Sequence, residues 1–129
     1  MKTMLIGASL ALLSLPASAA VCAGGKVAII RVSTIKAEGT RAGFDKAVAD
    51  QIAWYRSHGV ANNRIVEAGV IDMTSGMPTL SAKEVMTIHY DPPTATGVQP
   101  PVDDGYQAFV KEFRDNSDIA VEKAVCLPE

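Results

Sequence analysis

Two cysteines, Cys22 and Cys126, stand near opposite ends of this 129-residue chain and constrain its topology more than any other feature. Joined, they admit only folds in which the start of the first element lies beside the end of the last. Whether they join depends on compartment. Lys2 is followed by an apolar run from Met4 to Leu15, which Pro16 ends. That run is too short to span a bilayer and has the length of a signal-peptide core. Ala17-Ser18-Ala19 is a small-x-small cleavage pattern, with Ser18-Ala19-Ala20 as the alternative one residue on. The expectation is a signal peptide over 1–19, a cut at 19/20 or 20/21, and a single α/β domain over 20–129. A buried N-terminal helix is the competing reading, and Lys2 as the lone charge in the first 25 residues disfavours it. No later stretch is long and apolar enough to cross a membrane, so an exported soluble protein is expected, periplasmic or secreted, with no membrane anchor.

Within that compartment three roles for Cys22 compete. A lipidated cysteine needs a small residue directly before it, and Val21 stands there. A metal site needs more donors than two cysteines with no CxxC and no histidine at ligand spacing; no metal and no cofactor are expected. A Cys22–Cys126 disulfide remains. Cleavage takes away Lys2 and leaves eleven basic residues against fourteen acidic ones. A net charge near −3, scattered in both signs, gives no electrostatic case for nucleic acid.

Hydrophobic periodicity divides the mature chain into six elements. Lys26 to Ile35, rich in β-branched residues, reads as a strand. The segment 39–59 reads as a helix capped by Thr40, with Phe44, Val48, Ile52 and Tyr55 as its buried stripe and Gly59 as its stop. Arg64–Met73 is a second strand, 74–79 a turn with Gly76 and Pro78, and Ala82–Asp91 a third strand. Four prolines between Asp91 and Pro101 make a stiff extended connection. Asp103 or Asp104 caps a second helix with Tyr106, Phe109, Val110 and Phe113 on one face, and Ile119–Leu127 closes the chain as a fourth strand. The order βαββαβ predicts an α+β, ferredoxin-like fold: an antiparallel sheet in the order 4-1-3-2 with both helices on one face. Strands 1 and 4 are then antiparallel neighbours, which puts Cys22 beside Cys126.

Alternation assigns each strand two faces. Ala28, Ile30, Val32, Val66, Ala68, Val70, Met86, Ile88 and Tyr90 form an almost wholly apolar set, expected beneath the helices. Val27, Ile29, Arg31, Ser33, Ile65, Glu67, Gly69, Ile71, Val85, Thr87 and His89 form a mixed set, expected to be open and, being still rich in large apolar residues, to be buried between two copies. In element order, apolar second sheet face and the closing helix "GYQAFVKEFRDN", the chain resembles the dimeric α/β-barrel superfamily. That resemblance implies a homodimer whose sheet faces pair. It also implies a possible kinship with cofactor-free monooxygenases, cyclases and isomerase-like enzymes.

Arg31, Glu67 and His89 share the mixed face. A histidine held by a carboxylate can act as general base, and an arginine can hold an anionic group, which makes His89 the candidate catalytic residue and Arg31 and Glu67 candidate binding residues. Packing within an interface, with Arg31 and Glu67 neutralising each other, is the plainer alternative. His58 reads as a helix-end residue, Trp54 and Tyr55 as packing with Trp54 off the main stripe, and Asp103-Asp104 as a cap rather than a cation site. Three functions fit: a dimeric binding protein for a small organic ligand, a cofactor-independent enzyme using His89, or a structural or protein-interaction module.

Overall fold

In a computed structural model of the protein, residues 22–60, 64–96 and 98–128 are described; the expected signal peptide lies outside them. Strand β1 (Val27–Ile35) leads to helix α1 (Arg41–Ser57), the hairpin β2 (Arg64–Asp72) and β3 (Thr79–Tyr90), helix α2 (Asp104–Asn116) and strand β4 (Ser117–Cys126). The sheet is antiparallel in the order β2-β3-β1-β4, the ferredoxin-like arrangement expected from the element order. Cys22 and Cys126 are bonded, with Cα atoms 5.4 Å apart and 104 residues between them in sequence. The register explains the bridge: Val27 pairs with Cys126, so the first and last residues of the two central-to-edge strands coincide.

Local chemistry sets the element ends. The Thr40 hydroxyl accepts from the Gly43 amide at 2.9 Å and starts α1. Of the two candidate caps of α2, Asp103 is the one used: its carboxylate accepts from the Tyr106 amide at 2.8 Å. Strand β3 begins three residues before the expected Ala82, because Gly76 takes the left-handed conformation (φ 79°) that closes the turn and lets Thr79 pair with Asp72. Strand β4 starts at Ser117 rather than Ile119, directly from α2, since Ser117 already pairs with Ile35. At that junction the Asn116 side chain accepts from the Thr40 amide at 2.9 Å and donates to the Glu112 carbonyl at 2.8 Å. Gly39 and Gly43 lie so close to Asn116 that a Cβ at either position would collide with it.

The assignment of the two sheet faces is reversed relative to expectation. Val85, Thr87, His89 and Ser33 are all under 9% exposed and face the helices, and Ile65 packs against both helical core clusters. The mixed set is therefore the inner one. The apolar set is open apart from the fully buried Ala28: Val66 is 36% exposed and Val121, on the same face of β4, 44%. The register lays these outer residues in rows, Val66–Ile88–Ile30–Lys123 and Ala68–Met86–Val32–Val121. A period of two says which residues share a face and leaves open which face is covered. The inner face tolerates polar residues because some form ion pairs and others line a space between sheet and helices.

The inner core has two centres. Phe44, Val48 and Val85 meet Ile35, Ile52, Ile65 and Phe113; Trp54, Tyr55 and Phe109 meet Tyr106, Val110 and Phe113. Phe44 and Phe113 pack edge to face at 5.3 Å between ring centroids, as do Trp54 and Tyr106 at 5.4 Å. The backbones of the two helices approach each other closely, and both helices meet the sheet through side chains such as Ile65.

Candidate functional site

Space remains between the two helices and the inner face of the sheet. A cavity of about 520 Å³ results. Its floor is the inner face of the two central strands: Ile29, Arg31, Ser33, Thr87 and His89. Phe44, Gln51 and Tyr55 of α1 form one wall, and Tyr106, Phe109, Val110 and Phe113 of α2 the other. Thr94, Gln99, Pro100 and Val102 from the proline segment close one end, and Ser117, Ile119 and Glu122 of β4 line the edge.

Two inner rows of the sheet fix the polar groups. One reads Glu67–Thr87–Arg31–Glu122 and the next Ile65–His89–Ile29–Ala124. Arg31 and Glu67 thus flank Thr87, and the residues directly beside His89 are isoleucines. Arg31 turns away from Glu67 and donates through Nε to Glu122. Glu67 is met by Arg41 of α1, whose Nη2 lies 3.2 Å from its Oε2. Of the three candidate residues, Arg31 and His89 line the cavity together, while Glu67 is drawn to the start of α1. Burial and the neighbouring Asp45 raise the Glu67 pKa, and Arg41 opposes them.

His89 is 3% exposed, and its ring meets Tyr55 edge to face at 5.4 Å. Burial, and secondarily the positive charge of Arg31, push its pKa down to about 4. The imidazole is therefore neutral at ordinary pH, a hydrogen-bonding group rather than a cation. The same burial raises the Tyr55 pKa, which keeps its phenol protonated. Ser33 and Thr87 are 4% and 8% exposed and line the same floor. Among the described residues neither hydroxyl has a side-chain hydrogen-bond partner, and buried hydroxyls of this kind ordinarily find one.

Sequence reasoning missed Ser33, Thr87 and Gln51. The two hydroxyls carried a weak signal, since small polar residues alternating within an apolar strand face are out of place unless something meets them. Trp54 does not rim the cavity; it is 6% exposed, and its indole N–H donates to Asp103 at 2.7 Å.

The fold and this space together define a ferredoxin-like α+β domain with a chamber between sheet and helices. No protein-family model and no curated protein matches the sequence. Among solved structures the fold is similar to that of SnoaB, a cofactor-independent oxygenase from Streptomyces nogalater, with a TM-score of 0.50 over 81% of this chain and 94% of that one. Identity is 14%, so the likeness concerns the fold.

Proposed function

We propose that the protein is an exported, homodimeric binding protein that holds a small organic molecule between α2 and the sheet. The observation that carries this reading is the cavity of about 520 Å³, with aromatic walls and a buried polar floor of Ser33, Thr87 and His89. Its size falls within the range of small-molecule sites, roughly 300–1,000 Å³, and a few polar groups in an apolar lining are how such sites orient a ligand. The electrostatics favour an uncharged ligand. At the floor His89 is neutral and the Arg31 charge is already met by Glu122, so an anion there would have to displace that carboxylate; of the other charged lining residues, Asp118 is paired with Lys36, and Arg114 stands at the far end of α2.

Homodimerisation is supported by the open face. Its rows of Val, Ile, Ala and Met are rimmed by polar groups, with Lys123 on β4 and Arg64 stacked 4.1 Å over the Tyr90 ring. The adjoining hairpin adds Met73, Met77 and Leu80, each at least 66% exposed. Export is supported by the disulfide and by the leader-like sequence of residues 1–19. No described helix is long and apolar enough to cross a membrane.

A second reading, a cofactor-independent enzyme with His89 as base, is favoured by the fold likeness to an oxygenase and by an imidazole at the cavity floor. Its depressed pKa makes His89 a weak proton acceptor, so the binding reading is preferred. Solvent extraction of the purified protein followed by mass spectrometry tests the proposal. An organic molecule released in near-stoichiometric amount from the wild type, and diminished in Thr87→Val and His89→Gln, is the expected result. Release of no organic molecule from the wild type, with a cavity filled by repacked side chains, would refute it.

A further inference from the structure

Outside the cavity floor, the densest polar cluster joins the end of α1 to the start of α2. Asp103 receives three hydrogen bonds there. Its Oδ1 accepts from the Tyr106 amide at 2.8 Å and from the Trp54 indole at 2.7 Å, and its Oδ2 lies 2.8 Å from His58 Nε2. The other ring nitrogen, His58 Nδ1, lies 2.8 Å from the Trp54 carbonyl and 3.0 Å from the Ser57 hydroxyl. That hydroxyl itself donates to the Trp54 carbonyl at 2.7 Å. Both nitrogens of the His58 ring therefore face acceptors. A neutral imidazole carries one N–H and satisfies one side; only the imidazolium donates to both. The Trp54 ring lies against the His58 ring at 4.3 Å.

We propose that His58 and Asp103 form a pH-responsive latch that, on protonation of His58, fastens the first turn of α2 and the proline segment to the end of α1. The carboxylate is the fixed half. The Tyr106 amide first, then the Trp54 indole and His58, hold Asp103 below the usual carboxylate range, so it stays ionised while the ring gains or loses its proton. Asp103 is the charged side chain in contact with the ring. The other charges on these two turns are Arg56 and Asp104, and neither makes a hydrogen bond or ion pair with it among the described residues. The latch bears on the cavity because Asp103 sits between Pro100 and Val102 on one side and Tyr106 on the other, all of which line it. Loss of the proton takes the charge from the Nε2–Asp103 contact and lets the remaining N–H turn to the Trp54 carbonyl instead, which loosens the segment that walls the chamber. This device does not depend on which molecule the chamber holds.

The chain carries its own reporter. Trp54 is its single tryptophan, and His58 and His89 are its two histidines. His89 titrates near 4, below the pH 5 to 8 interval to be scanned, and should not contribute there. Trp54 emission recorded across that interval should show one sigmoidal step, with emission lost on the acid side as the protonated ring closes on the indole. Amide exchange in 98–106, corrected for its intrinsic pH dependence, should be roughly fivefold slower in acid, the difference between a neutral and a charge-assisted hydrogen bond. His58→Gln, at a partly exposed position, should abolish both effects. Asp103→Asn, which keeps a good capping side chain, should remove the exchange effect. A wild type without the step, or a step that persists in His58→Gln, would overturn the latch.

Discussion

Opening the Cys22–Cys126 bridge with a paired Cys22→Ser, Cys126→Ser substitution removes a covalent closure of 104 residues, nearly the whole described chain. In the chain-entropy treatment a loop of that length restricts the denatured state by about 5 kcal/mol. For a domain near 100 residues, with about 4–5 °C of melting temperature per kcal/mol, the loss corresponds to roughly 20 °C. The native state loses little besides the bond, because β1 and β4 stay paired from Val27–Cys126 to Ile35–Ser117. Urea denaturation of both forms, followed by far-ultraviolet circular dichroism and by Trp54 emission, separates the two states. The open form should show a lower midpoint, a larger m-value because its unfolded chain exposes more surface, and an unchanged native spectrum. A stability loss under about 1 kcal/mol, or an altered native spectrum at an unchanged m-value, would refute the loop-closure reasoning.

Three further outcomes follow from the geometry. Light scattering at micromolar concentration should give twice the protomer mass, and Ile88→Lys, at the centre of the open face, should give the protomer alone; a monomeric wild type contradicts the proposed homodimer. Because the folded-state pKa of His89 lies below its unfolded value, the unfolded chain binds the extra proton, and stability falls as pH drops from about 6.5 toward 4. The effect is at most about 3 kcal/mol, is measured by denaturation across that range, and should vanish in His89→Gln. Gly43→Ala, which in an open helix stabilises by up to about 1 kcal/mol, should here cost about 1–3 kcal/mol in thermal unfolding, because the new methyl meets the Asn116 carboxamide.

The sheet order was legible because six segments of contrasting period leave few topologies, and two cysteines expected to pair chose the same neighbours for β1 and β4. The covered face was not legible. The expectation put the more apolar set beneath the helices and the mixed set between two copies, whereas Val66 and Val121 of the apolar side are exposed and Ser33, Val85, Thr87 and His89 of the mixed set are buried. The spacing of the candidate site was half legible. Alternation put Arg31, Glu67 and His89 on one face, but the row each occupies depends on the Met73–Pro78 turn and on the irregularity between Gly69 and Ile71. Those details set Glu67 opposite Thr87 rather than His89. The cavity could not be read from residues at all, since it depends on how the side chains of both helices and of the sheet fill the space between them. Trp54 lies off the helical stripe and is nonetheless buried, because Asp103 and Tyr106 arrive from elsewhere in the chain to cover it.

The most direct test of a ligand chamber is an amide-resolved NMR titration of the folded protein with a panel of small uncharged aromatic compounds. For compounds that bind, saturable shifts should be confined to the cavity floor and walls around Ser33, Tyr55, Thr87, His89 and Phe109, and should disappear in Thr87→Val. A panel without a single saturable binder, or shifts confined to the open face around Val32 and Ile88, would contradict the assignment of this space as the protein's functional site.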